Sequence, residues 1–245
     1  MKTIAFASRN AKEILRDKQN LYLGIGFPVI LLLLLTAIQS NIPVDIFEIE
    51  KLTPGIAVFG LSFISLFSGM LIAKDRTSSF MLRLFTSPLT ARDFILGYTL
   101  PLLPMALAQV TFCFIVAIVL GLSFNLNILL AIILLIPATV LFIGLGLLCG
   151  SIFTDKQVGG ICGALLTNLC AWLSGTWFDL DLIGGVFKAI ANALPFVHAV
   201  DMGKAALARD YSASFLHFWW VCGYAIAIMA IAVFVFTHKM NSDNV

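Results

Sequence analysis

The chain has 245 residues, of which 60% are hydrophobic and only 11% charged. A soluble domain carries about 25% charged residues, so 15 basic and 13 acidic side chains cannot clothe a chain of this size in a water-facing surface. Secreted domains, cytosolic enzymes and nucleic-acid binders are excluded, and a polytopic membrane protein is expected.

The first twenty residues carry seven charges. Ile4, Ala7, Ala11, Ile14 and Leu15 recur at helical spacing, with Lys2, Arg9, Lys12, Glu13, Arg16 and Asp17 mostly opposite. The pattern predicts an amphipathic helix over 1–20, lying in the headgroup layer or serving as a basic anchor for the first span. The apolar run that follows is too long for a cleavable signal, which leaves the N-terminus in the cytoplasm.

Charge-free stretches run 19–44, 52–73, 94–154, 157–178 and 211–238. A crossing needs about 20 residues. The stretch 94–154 would make a helix of about 90 Å and contains a polar turn at 121–127, so it holds two crossings. Six membrane helices are expected, at 21–39, 54–73, 95–120, 128–150, 158–176 and 216–237. The apolar runs are continuous rather than alternating, which makes them helices and not barrel strands. Pro28, Pro101, Pro104 and Pro137 predict local kinks, with Pro101 and Pro104 making the third span irregular. With both termini cytoplasmic, 11 basic residues lie inside and 4 outside, the orientation the positive-inside rule selects.

Between the second and third spans, Phe80, Met81, Leu84 and Phe85 form an apolar face on a short helix over 77–87, with Arg76 and Arg83 one heptad apart. Pro88 ends that helix, and Thr90 with Asp93 resembles a capping box opening the third span. A loop tucked against lipid and a docking element for a cytoplasmic partner both fit this pattern. Gly146/Gly150 and Gly159/Gly163 are GxxxG pairs that let helix backbones approach. Gln109 and Asn168 are the strongest uncharged polar groups at depth, suited to helix–helix hydrogen bonds or to a substrate path.

The segment 176–215 is too long for an unstructured connection. Apolar residues from Leu182 to Leu194 fall at helical spacing, Pro195 interrupts, and a second stretch runs from about His198 to Arg209. Two short helices over 177–214 that dip into the outer leaflet are expected, with a solvated hairpin as the alternative. Trp172, Trp177 and Phe178 favour the interface.

No ionisable group falls in the middle of a predicted span, which disfavours an ion-coupled carrier. GxxxxGK[ST], HExxH and GxSxG are absent, so no nucleotide site, metal site or catalytic set is visible. The five cysteines all fall in predicted spans and form no CxxC pair.

The order of these features resembles the permease subunits of type-2 ABC exporters. Residues 9–16 followed by Gly26-Phe27-Pro28 look like the start of that family's first span. Residues 69–76, then Thr86-Ser87-Pro88-Leu89-Thr90, resemble the stretch around its cytoplasmic coupling helix. Residues 173–178 and Leu194-Pro195-Phe196 resemble its outer re-entrant region. The Asp75-Arg76 pair and short loops are closer to the drug-exporting than to the polysaccharide-exporting branch, although Thr77, Ser78 and Ser79 stand where the family often has a glycine.

The resemblance implies an all-α permease without its own nucleotide site, in the plasma (inner) membrane. It would move a drug, antibiotic, peptide or lipid-like molecule outward, with no cofactor in this chain and ATP and Mg on a partner ATPase. The implied partners are a dimer of cytoplasmic ATPase subunits, a second permease chain and membrane lipid. Asp75, Arg76, Phe80, Arg83, Leu84 and Phe85 would couple to the ATPase. Gln109 and Asn168 would line the path, and Trp177, Phe178 and Phe187 would form the outer gate. A glycan-exporting permease, a membrane enzyme and a secondary carrier are the alternatives.

Overall fold

The structure is a computed structural model that describes residues 2–43, 46–77 and 90–242. All regular structure among the described residues is helical. Helix α1 covers Lys2–Arg16 and α2 covers Lys18–Gln39. The expected 1–20 helix stops early at Asp17, which leaves helical geometry (φ −80°, ψ 72°) and caps α2 by accepting from the Asn20 N–H at 3.2 Å. Helix α1 and the first long apolar helix therefore meet at a corner.

Helix α3 (Ile49–Thr77) is the centre of the molecule. Its most apolar stretch is 83% buried by protein, against 22% for the corresponding stretch of α2, so α3 is packed on every side while α2 keeps most of its surface outward. Small residues make this possible. Gly55, Gly60, Ser62, Ser65, Ser68 and Gly69 give α3 little girth, and neighbours approach its backbone.

Helix α4 (Ala91–Val119) opens with the expected capping box: Thr90 and Asp93 exchange side-chain-to-backbone hydrogen bonds. It continues through Pro101 and Pro104 without a break, so the third span is more regular than the two prolines predict. Gly121, at φ 112°, turns the chain after α4, and Asn125 caps α5 (Leu126–Leu134). Helix α6 (Ile136–Ile152) follows after a break at Leu135, with Pro137 in its first turn. Of the four prolines singled out in the sequence, this is the one at which a helix stops and restarts.

The expected fifth span is interrupted. A capping box of Thr154 and Gln157 opens α7 (Asp155–Val158), a π-helical segment runs through Gly159–Leu166, and α8 covers Thr167–Leu173. Glycines at 159, 160 and 163 lower the cost of leaving α geometry. Among the described residues, five helical stretches are long and apolar enough to cross a membrane: 18–39, 49–77, 92–119, 126–152 and 211–239. The remaining expected crossing, the fifth, coincides with the interrupted stretch from Asp155 to Leu173.

Three helices, not two, fill the segment before the last span: α9 (Leu180–Ile183), α10 (Gly185–Ala193) and α11 (Pro195–Leu207). Pro195 starts α11 rather than merely interrupting, because its missing N–H falls where a helix has no internal partner to lose. Helix α11 packs against α3, α5 and α12 (Tyr211–Ser242) and buries Phe196, Val197, Val200 and Met202.

Helix α6 lies between α3 and α12. At the α3–α6 crossing the Gly146/Gly150 pair has no room to spare: a Cβ on Gly146 would stand 2.2 Å from the Ser65 carbonyl oxygen, and one on Gly150 2.4 Å from that of Gly69. Ser68 Oγ donates to the Ile143 carbonyl at 3.1 Å across the same contact. The second pair is different, since a Cβ on Gly159 meets nothing and one on Gly163 meets only the Leu66 side chain.

Candidate functional site

The C-terminal end of α3 carries Asp75, which is almost fully buried. A carboxylate there is costly unless it is paired and hydrogen-bonded. Arg9 of α1 supplies a fork, Nη1 donating to Oδ2 at 2.6 Å and Nη2 to Oδ1 at 2.9 Å. Tyr98 of α4 donates its hydroxyl to Asp75 Oδ2 at 2.8 Å. Burial works against the Arg9 charge, but the hydrogen bond and charge of Asp75 outweigh it, so the guanidinium is held protonated more firmly than usual.

The same three helices are sealed around this pair. Asn10, fully buried, donates through Nδ2 to the Gly97 carbonyl at 3.0 Å. The Phe6 ring lies where a Cβ on Gly97 would stand, and meets Phe94 and Tyr98 edge-on at 5.4 and 5.1 Å. Thr3 Oγ1 donates to Asp93. Next to Asp75, Arg76 donates to the Gly150 carbonyl of α6 at 2.9 Å. Asp75 and Arg76 thus bind the end of α3 to α1, α4 and α6.

Helix α1 turns a different face inward than its apolar stripe predicts. Phe6 and Asn10 are buried, whereas Ile4 and Leu15 are 70% and 65% exposed. Sequence reasoning placed Arg9 on the solvated face and did not single out Tyr98, Asn10 or Gly97. The Phe6–Asn10 spacing of one helical turn is the one local signal for the inward face.

The site joins α1 to the two helices that flank residues 78–89 in sequence. Phe80, Arg83, Leu84 and Phe85, and with them nearly all of the 77–87 helix, lie outside the described residues.

Residues 1–207 match the family model described as "ABC-2 type transporter". The chain belongs to the ABC-2 type transporter family. No curated protein matches it significantly. Membership and the five long apolar helices make it a multi-pass membrane permease of an ABC transporter, a kind of subunit that works with an ATPase partner.

In this ABC-2 permease, Gln109 is buried between α3 and α4. Its Nε2 reaches the Ala57 carbonyl at 3.4 Å and Cys113 Sγ at 3.5 Å, and its Oε1 finds no hydrogen-bond partner among the described residues. Gly60 leaves the space its amide occupies. Asn168 is exposed and donates back to the Ala164 carbonyl of its own turn at 2.8 Å.

Toward the other end of α3, Trp177 meets Phe59 edge-on at 5.6 Å, and Phe59 and Phe63 continue the aromatic row to Phe27 of α2. Phe178 lies between Trp172 and Phe187, with ring centroids at 5.8 and 6.2 Å. Phe178 and Phe187 are therefore brought together, while Trp177 joins a separate row.

Trp177 and Phe178 border a cavity of about 760 Å³ that also exposes Lys51, Asp179, Lys188, Asp201 and Lys204. Lys204 Nζ donates to the Gly175 carbonyl at 3.2 Å and lies 3.9 Å from Asp201. Burial raises the Asp201 pKa and lowers that of Lys204, in each case against the attraction of the partner.

Beside it, His198 Nε2 faces the Asn192 carbonyl at 2.9 Å, and the two Nδ1 atoms of His198 and His217 are 2.8 Å apart. A carbonyl only accepts, so His198 carries its proton on Nε2 and, in the neutral pair, accepts at Nδ1 from His217. Among the described residues no three His, Cys, Asp or Glu side chains converge as a metal site.

Proposed function

We propose that this permease is the membrane-spanning half of an ATP-driven exporter that carries an apolar or amphipathic molecule out of the cytoplasm. Membership of the ABC-2 family over residues 1–207 carries this reading. The lining offered by the spans is aromatic, aliphatic and weakly polar, which suits a drug, peptide or lipid-like substrate better than a long hydrophilic polymer.

Six crossings place both termini in the cytoplasm of the inner membrane, with the interrupted stretch 155–173 as the fifth. Two permease chains enclose the path. A dimer of separate ATPase subunits holds ATP and Mg and contacts Phe80, Arg83, Leu84 and Phe85. The Arg9–Asp75–Tyr98 knot and the Arg76 bond to α6 support the transmission step, because a push at the root of α3 is shared at once with α1, α4 and α6. Asn168 lines the path, and Gln109 joins it when α3 and α4 part. Trp177, Phe178 and Phe187 form the outer gate, a reading supported by Trp177 and Phe178 on the outer cavity and by the ring contact of Phe178 with Phe187.

Purification of the tagged chain from its native membrane in mild detergent, with mass spectrometry of what co-purifies, tests this reading. A stoichiometric soluble protein with a Walker A motif supports it and reveals whether a second permease is present. A folded chain that purifies without any ATPase overturns it in favour of a membrane enzyme or a carrier.

A further inference from the structure

Two cavities adjoin at the corner between α1 and α2. The first, about 340 Å³, has a rim of Glu13, Arg16, Asp17, Lys74 and Asp155 over a floor that includes Phe67 and Leu71. The second, about 640 Å³, is an apolar groove between Ile4, Ala7 and Ala11 of α1 and Leu100, Pro104 and Ala108 of α4. Ile14, Leu21 and Met105 line both, so the charged cavity opens directly into the groove.

We propose that this joint holds one membrane phospholipid of the surrounding leaflet, its zwitterionic phosphoethanolamine headgroup in the charged cavity and an acyl chain in the groove. Charge complementarity selects the headgroup. Arg16 and Lys74 offer donors for a phosphate, and among the described residues Arg16 forms no ion pair while Lys74 reaches Glu13 only at 3.9 Å. Glu13 is already paired with Arg9 at 2.5 Å, which leaves Asp17 and Asp155 to meet a primary ammonium and balances the two cations of the rim, as a zwitterionic headgroup requires. The groove offers a chain what water cannot, because it is walled by Ile4 and Leu15, both mostly exposed, and by Leu100.

The test is a binding measurement that does not depend on transport. The permease with its co-purifying partners is placed in nanodiscs containing phosphatidylethanolamine and phosphatidylglycerol, re-extracted, and the retained lipid identified by native mass spectrometry. Retention of about one phosphatidylethanolamine per chain is expected. Ala108→Trp, which fills the groove from an exposed position, and the double variant Arg16→Glu/Lys74→Glu should each lower retention roughly tenfold. Ala230→Trp, on a different apolar groove of α12, should leave it unchanged. Retention without headgroup preference, indifference to Ala108→Trp, or equal loss in Ala230→Trp overturns the proposal, as does displacement of the lipid by an exported amphiphile.

Discussion

Arg9 and Asp75, 66 positions apart, join through two parallel hydrogen bonds of 2.6 and 2.9 Å and so fasten the N-terminal helix α1 to the end of the central helix α3. Removing one partner leaves the other charge without its fork. Arg9→Ala or Asp75→Ala is expected to cost about 2–3 kcal/mol, less than a fully enclosed pair because the Arg9 side chain is 35% exposed. Arg9→Lys should recover only part, since an ammonium cannot reproduce the bidentate geometry. Thermal unfolding in detergent reads this out. The double variant Arg9→Ala/Asp75→Ala should lose less than the sum of the single losses.

The α3–α6 crossing makes a sharper steric prediction. Gly146→Ala and Gly150→Ala each drive a methyl into a backbone carbonyl, which cannot swing aside as a side chain can. A loss of about 1–3 kcal/mol is expected for each. Gly223→Ala in α12 meets open space and should be neutral or slightly stabilising, as alanine favours helix over glycine. Equal melting temperatures for all three variants would remove the close crossing from the account.

Asp201 gives a pH dependence with a definite sign. Burial raises its pKa in the folded chain above the ordinary carboxylate value, so the folded state binds this proton more tightly than the unfolded state. Its contribution to stability is full below the ordinary carboxylate range and is lost as pH climbs through the raised value. Lys204, whose pKa burial lowers, acts in the alkaline range, where stability rises as pH passes upward through the lowered value. Asp201→Asn should flatten the acidic-to-neutral part of a melting-temperature profile and, by removing the attraction that holds the Lys204 proton, move the alkaline part to lower pH.

The coupling reading predicts a functional defect without a folding defect. Arg83→Glu is expected to lower ATPase coupling while membrane insertion stays intact. Substrate-stimulated ATP hydrolysis in a reconstituted complex is the measurement. Unchanged complex formation and unchanged transport would remove Arg83 from the contact.

Local chemistry was readable where it acts over a few residues. The Thr90–Asp93 capping box, the polar turn near Gly121 and the break before Pro137 each depend on neighbours within one turn of helix. Pro101 and Pro104 misled because an apolar helix can pass through proline when packing holds it, and α4 does so. The stretch 158–176 fits a plain span by length and hydropathy, and the glycines that permit its π-helical segment carry no distinct apolar signal. Gly146/Gly150 and Gly159/Gly163 read alike in sequence; only the first faces a backbone.

By itself the sequence determined that this is a helical membrane protein, roughly where its long helices run and which ends carry caps. Those properties follow from the cost of burying charge in lipid and from hydrogen bonds a few residues long. The tertiary structure decided which face of α1 turns inward, that Arg9 belongs to Asp75 rather than to water, and that Gln109 lies inside the α3–α4 packing. In an apolar chain nearly every helix face is hydrophobic enough to pack. The choice among them is made by the small residues and the few polar groups that neighbouring helices bring together across dozens of positions.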